Sequence, residues 1–230
     1  MIAPPPRHAS GLWRRALAVA VGILAVIGAG VAIERCRSVL DVLGGSPAPA
    51  AGSYEASFAE RPIVTLLHVL PGLVFMVLGP FQFVPGLRAK YLSAHRWSGR
   101  ILVGAGVVAG ITALVLAFRA FGGPLETAAT AVFAPFFLFS LGKAWRHIRR
   151  REVAAHREWM IRAFAIGLAV ASMRPLGGLA MVTTGRPLAD VLGVVFWLAF
   201  LLHWLVAEVW IRRSRGGARS GRLLSPPERP

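Results

Sequence analysis

The chain has 230 residues, of which 56% are hydrophobic and only 16% charged, with a formal net charge of +16. Soluble domains carry about 25% charged residues, and mean hydropathy here is +0.62, so an ordinary soluble domain is excluded. A soluble catalytic domain is excluded too, because no segment outside the apolar runs is long enough to build one.

A helix needs roughly 20 mostly apolar residues to cross a hydrocarbon core about 30 Å thick, at about 1.5 Å of rise per residue. Six stretches qualify, at about 12–34, 62–85, 100–119, 125–146, 159–182 and 188–211. They predict an all-α polytopic bundle of six transmembrane helices, with helices two to five as a four-helix core of two tandem hairpins. Flanking it are a tail over 1–11 and a disordered basic tail over 212–230, rich in Gly, Ser, Pro and Arg.

The first stretch follows Arg14-Arg15 and runs apolar from Ala16 to Ile33, then meets Glu34-Arg35. That is longer than the apolar core of a signal peptide. An uncleaved span is favoured, with a signal cut near Ala48–Ala51 as the alternative. An external loop rich in Pro, Ala, Gly and Ser is expected over 38–60. In the second span His68, Gly72, Phe75, Gly79 and Gln82 recur at steps of three or four and share one face. Polar groups in hydrocarbon need partners, so that face should point inward. The third span carries Gly106-x-x-x-Gly110, a weak signal of close helix approach.

The fifth span holds Arg162 and Arg174. A guanidinium keeps its charge, so Arg174 needs an anion. Glu126 and Asp190, at the outer ends of the fourth and sixth spans, are candidates, as is a bound anionic group. His203 and Glu208 lie near the inner side of the sixth span. His8 reads as inert and His147 as a solvated helix end. The lone Cys36 rules out an internal disulfide, zinc or iron–sulfur site built from cysteines. No P-loop, dinucleotide fingerprint, HExxH or nucleophile elbow is present. Ten acidic residues, mostly flanking spans, suit a carboxylate-driven transporter poorly.

Outside Arg35, Arg37, Arg61, Arg119, Arg174 and Arg186, every basic residue falls on the N-terminal segment, the second and fourth loops or the C-terminal tail. This distribution predicts both termini in the cytoplasm. An inner-membrane location, with the lipid bilayer as partner, follows. The aromatics lie in the spans and not among the charges, so nucleic acid is not an expected partner.

A local signature repeats. Arg88 is followed by His95-Arg96-Trp97 and Arg100; Arg149 by His156-Arg157, Trp159 and Arg162. Imidazole is the commonest axial ligand of haem iron, and arginines suit propionates, phosphates or a quinone carbonyl. If the two hairpins are parallel repeats about an axis along the membrane normal, His95 and His156 become mates. The bland alternative is that each motif anchors a helix at the interface, where Trp97 and Trp159 belong.

The stretches His68–Arg100, with Gly79-Pro80-Phe81-Gln82 and His95-Arg96-Trp97-Ser98-Gly99-Arg100, and His156–Arg162, followed by Arg174, resemble a bacterial family of predicted membrane proteins of unknown function. That resemblance implies the fold and a membrane location, but no activity. The layout is also distantly similar to the cytochrome b561 and ferric-reductase group of haem-binding bundles. In that group histidines pair between the third and fifth helices and between the second and fourth. Here His95 and His156 match the first pairing, while His68 has no histidine opposite it in the fourth span. The expectation is a redox-linked protein holding haem b or a quinone near the cytoplasmic face. His95 and His156 would be axial ligands. Arg96, Arg100, Arg157 and Arg162 would be anion clamps, with His68, Gln82 and Arg174 as further binding residues and a redox partner outside. The alternative is a small transporter or accessory subunit that binds an anionic metabolite or lipid headgroup, or a structural partner of another membrane complex.

Overall fold

A computed structural model describes residues 7–223, and the side chains of 11–215. Its helices are α1 (Arg7–Leu43), α2 (Ala56–Ala59), α3 (Pro62–Gln82), α4 (Pro85–Lys90), α5 (Leu92–Ala117), α6 (Gly123–Arg149), α7 (Val153–Thr184) and α8 (Leu188–Leu223), with no strand among the described residues. Six of them, all but α2 and α4, are long and apolar enough to cross a bilayer. The protein is therefore an all-helical integral membrane protein. In lipid, every backbone polar group must be satisfied within its own segment, which an uninterrupted helix achieves.

The helices overrun their apolar stretches. α5 starts at Leu92 and α7 at Val153, so His95 and His156 lie inside helices, each as the fourth residue. α1 continues to Leu43, which makes Glu34-Arg35 an internal pair and not a helix end. α8 runs to Leu223. Residues 212–223, assigned by composition to a disordered tail, are thus helical, and 224–230 lie outside the described residues. The Arg215 guanidinium donates to Glu158 of α7, tying this extension to its neighbour. At the other end, α7 stops at Gly185, whose φ of 67° permits a left-handed cap, and its N–H bonds the Met181 carbonyl at 2.9 Å.

α3 packs on α5, α5 on α6, and α6 on α7, with a lighter α3–α7 contact closing the ring. α1 lies along α3 and α7, and α8 along α6 and α7. α5 and α7 sit diagonally across the ring. Small residues allow the close approaches. A Cβ on Gly79 would fall 2.1 Å from the Phe164 ring, and Cβ atoms on Gly106 and Gly110 would meet Leu141 and Leu138 of α6 at 2.9 and 2.7 Å. The Phe75 ring reaches from α3 to Gly167 of α7, where an added Cβ would lie 2.7 Å away. It packs on Phe137 and Phe164 at 5.4 and 6.0 Å between centroids. The α3 face carrying His68 and Gln82 is turned toward α5: His68 Nδ1 lies 2.9 Å from the Ala109 carbonyl, and Gln82 Nε2 donates to Ser98 Oγ at 2.8 Å.

Arg88, Arg149, Arg150, Arg151, Arg157, Arg212 and Arg213 are all exposed at one end of the bundle, here the basic end. By the positive-inside tendency this end should face the cytoplasm. Single cysteines replacing Arg88 and Ser46, in a Cys36→Ser background, should react with a membrane-impermeant thiol reagent from opposite sides, Ser46→Cys from outside. Labelling of both from one side would contradict the six-span arrangement.

Candidate functional site

The opposite half of the bundle holds a half-open cavity of about 260 Å³. Its deeper wall is apolar: Phe75 and Met76 of α3, Phe137 of α6, Gly167 of α7 and Phe200 of α8. Beside the hydroxyl residues Ser57 and Thr130, its polar groups are Arg35 (α1), Tyr54, His68 (α3), Arg119, Glu126 (α6) and Arg174 (α7). Arg35 lies eight residues before the end of α1, and Arg174 ten before the end of α7. At about 1.5 Å per residue, both sit some 12–15 Å inside their helix ends.

The loop before α3 forms the cap of this cavity. Ala56 N–H bonds Ser53 Oγ, Ser57 Oγ donates to the Tyr54 carbonyl, and the wholly buried Thr65 donates to the Phe58 carbonyl. The Tyr54 ring packs edge-on against Phe58 and Phe121 at 5.2 and 5.4 Å. Both guanidiniums approach that ring, Arg35 at 5.3 Å and Arg174 at 5.1 Å from its centroid. Arg35 also lies 4.3 Å from the Phe58 ring. Burial pushes the Tyr54 phenol up from its ordinary value, while the nearby charge of Arg174 pulls the other way. Its hydroxyl stays protonated near neutral pH and makes no hydrogen bond among the described residues.

Arg174 does not pair with either carboxylate that the sequence offered. Glu126 accepts the Gly122 N–H at 2.6 Å, Asp190 is exposed, and Arg174 has no ion pair or hydrogen bond among the described residues. The sequence reading passed over Arg35 and Tyr54. The signal for Arg35 was present: Cys36, Val39 and Val42 continue an apolar helical pattern past it. Tyr54 had none, since its role comes from the loop's fold.

His68 is in the cavity wall. A carbonyl only accepts, so Nδ1 carries the hydrogen toward Ala109, and in the neutral ring Nε2 keeps its lone pair. His156 is arranged alike, with Nδ1–H donating to the Ala144 carbonyl of α6 at 2.9 Å. His95 is half-buried without a hydrogen-bond partner among the described residues, and its ionisable neighbours are Arg88, His156 and Arg96. Neither His95 nor His156 belongs to the cavity wall. Thus the structure gathers His68 and Arg174 at the cavity, leaves His95 and His156 at the basic end, and turns Gln82 to Ser98.

The arginines expected as clamps differ in state. Arg96, Arg100 and Arg157 are exposed, with Arg100 5.1 Å from the Trp97 ring. Arg162 is already engaged: its Nε and Nη2 donate to the two oxygens of Glu208 at 2.5 and 3.1 Å, over the Trp159 ring. Both side chains are largely buried, at 14% and 19% exposure. His203 Nε2–H donates to Ser172 Oγ at 2.8 Å, which in turn donates to the Ala169 carbonyl, so this histidine joins α8 to α7. His147 is not a free helix end. It bonds the Glu152 carboxylate across the α6–α7 turn, and that bond holds Glu152 below the usual carboxylate range.

Removing one partner of a buried ion pair leaves the other charge uncompensated, which costs about 3–5 kcal/mol. Glu208→Ala should therefore destabilise the bundle by about that amount in denaturant titration in mild detergent, and the double change with Arg162→Leu should recover part of it. A Glu208→Ala change near zero would contradict a structural role for the pair.

Comparison with curated proteins and with solved structures finds no match. A family model described as "Predicted membrane protein (DUF2306)" matches residues 65–211. The match takes in His68, Glu126 and Arg174, while Arg35 and Tyr54 precede it. It spans well over half of the chain, so the protein belongs to this family of predicted membrane proteins.

Proposed function

We propose that this protein is a membrane-embedded binding protein, a carrier or accessory subunit, that holds a small lipid-like molecule in the half of the bundle opposite the basic end. The observation that carries this reading is the cavity itself, with polar groups gathered at its capped end and aromatic walls below. Ligand sites are concave, mostly apolar and furnished with a few convergent polar groups. The volume is just under the roughly 300–1,000 Å³ typical of drug-sized ligands, which suits one short chain or ring.

Gly72 lines this cavity, and a Cβ there meets nothing within 4 Å. Gly72→Leu should therefore fill the site without disturbing helix packing. Gly142, exposed on α6 with equal room for a Cβ, is the matched control. Native mass spectrometry of protein taken from membranes in a neutral detergent should find a small bound molecule in the parent and in Gly142→Leu. Its occupancy should fall at least fivefold in Gly72→Leu. Equal occupancy in all three proteins, or no adduct in any, would count against the reading.

A second reading is favoured by one specific observation. The Nδ1–H of His156 is fixed by a backbone carbonyl, which leaves Nε2 free, the arrangement typical of a metal-ligating histidine. His95 occupies the matching helical position on the diagonal helix, at the same end. On this reading a b-type haem or a quinone sits between them, and electrons pass to a redox partner. The protein purified from haem-replete cells should then show a Soret band that shifts on dithionite reduction and is lost in His156→Ala. A colourless parent protein would rule out haem.

A further inference from the structure

We infer that the capped end of the cavity is an oxyanion site, in which Arg35 and Arg174 converge beside Tyr54 to hold the carboxylate or phosphate head of a single-chain amphiphile. This rests on the cavity being a ligand site, and names what it selects.

Arg35 is only 3% exposed, and neither Nη1 nor Nη2 has a hydrogen-bond partner among the described residues. Its nearest carboxylate, Glu55, is 3.9 Å from Nη2. That is about 1 Å beyond the usual N–H···O separation of roughly 2.9–3.0 Å. Glu55 is half-exposed and is not part of the cavity wall. The Phe58 and Tyr54 rings offer the charge a π cloud, but no lone pair for its N–H donors. A buried donor left unmade is costly, and a charged one more so. Arg174, an exposed residue, lines the same cavity and brings a second guanidinium to the Tyr54 ring, with no ion pair or hydrogen bond among the described residues.

The charge balance points the same way. The wall contains the guanidiniums of Arg35, Arg119 and Arg174 against one carboxylate, Glu126, whose Oε2 already accepts a backbone N–H. An anion supplied from outside would satisfy the orphaned donors, gain a bidentate partner of the kind guanidinium forks prefer, and take the Tyr54 hydroxyl as a further donor. Below this end the wall turns to Phe75, Phe137 and Gly167. A headgroup held at the cap would therefore direct an apolar tail toward the middle of the membrane.

The test uses the full chain in phosphatidylcholine nanodiscs, titrated calorimetrically against empty nanodiscs. The probes share one ten-carbon tail: decanoate, decyl phosphate and uncharged decanol. At least one anion should bind tenfold or more tightly than decanol. A preference for decanoate identifies a fatty-acid-type carboxylate, and a preference for decyl phosphate a phosphate head. Arg174→Gln should reduce the anion's advantage to less than threefold while leaving decanol binding unchanged, which also shows that this variant is folded. Arg35→Lys, which keeps the charge but loses the fork, should weaken the anion alone. Gly72→Leu should abolish binding of all three. Equal binding of decanol and both anions, lost in Gly72→Leu, would overturn the oxyanion site and leave the cavity reading intact. Absence of binding by any probe to the parent protein would overturn both.

Discussion

A guanidinium cannot discharge inside a membrane. Its proton affinity is too high for burial to neutralise it, and a cation at the centre of a span costs about 2.5–3.5 kcal/mol even on insertion scales that allow for relaxation. Every arginine the bundle encloses must therefore find electrons to bond. Arg162 finds them in Glu208, through two hydrogen bonds between α7 and α8. Arg35, which is buried, has only Glu55 at 3.9 Å, and Arg174, which is exposed, lines the same cavity with no ion pair among the described residues; the cap loop is arranged around them. The cap loop folds inward so that Tyr54 and Phe58 cover Arg35, and its backbone is pinned by Thr65. α1 continues past Arg35 to Leu43, keeping it inside the fold.

The cavity is a consequence of that arrangement combined with close packing below it. Glycines at 79, 106, 110 and 167 let α3, α5, α6 and α7 approach, and the Phe75 ring fills the space where they converge. Toward the basic end the interior is closed by Phe164, Leu102 and Leu141. Toward the cap, Arg35 and Arg174 each pack against the Tyr54 ring, and the cavity opens beside them. Space is left where the charges gather. An opening beside a buried guanidinium whose Nη donors are unmet, with a second guanidinium on the same wall, is better matched to a bound anion than to an empty core.

The spans were legible in the sequence, because a run of about 20 apolar residues has few alternatives, and so was the inward face of α3, from the spacing of His68 and Gln82. Helix ends were not. Residues 92–99 and 153–158 are polar enough to read as loops, yet outside hydrocarbon a polar helix continues at little cost. That shifted His95 and His156 from loops into first turns. Both histidines of the repeated signature occupy equivalent helical positions. Its link to the arginine clamps does not hold at Arg162, because a contact between α7 and α8 cannot be read from sequence spacing. The cavity end was legible only in part: Arg174 announced itself by depth, while Arg35 looked like a charge closing a span. Tyr54 came from a loop whose composition suggested no structure.

The most direct measurement is an experimental density map of the protein extracted from its native membrane in a neutral detergent, read at the space between Arg35, Tyr54 and Arg174. The account predicts elongated density with its head within hydrogen-bonding distance of both guanidiniums and its tail running toward Phe75 and Gly167. A vacant cavity with the Glu55 carboxylate swung in to bond both Nη atoms of Arg35 would contradict it, since the protein would then supply its own anion.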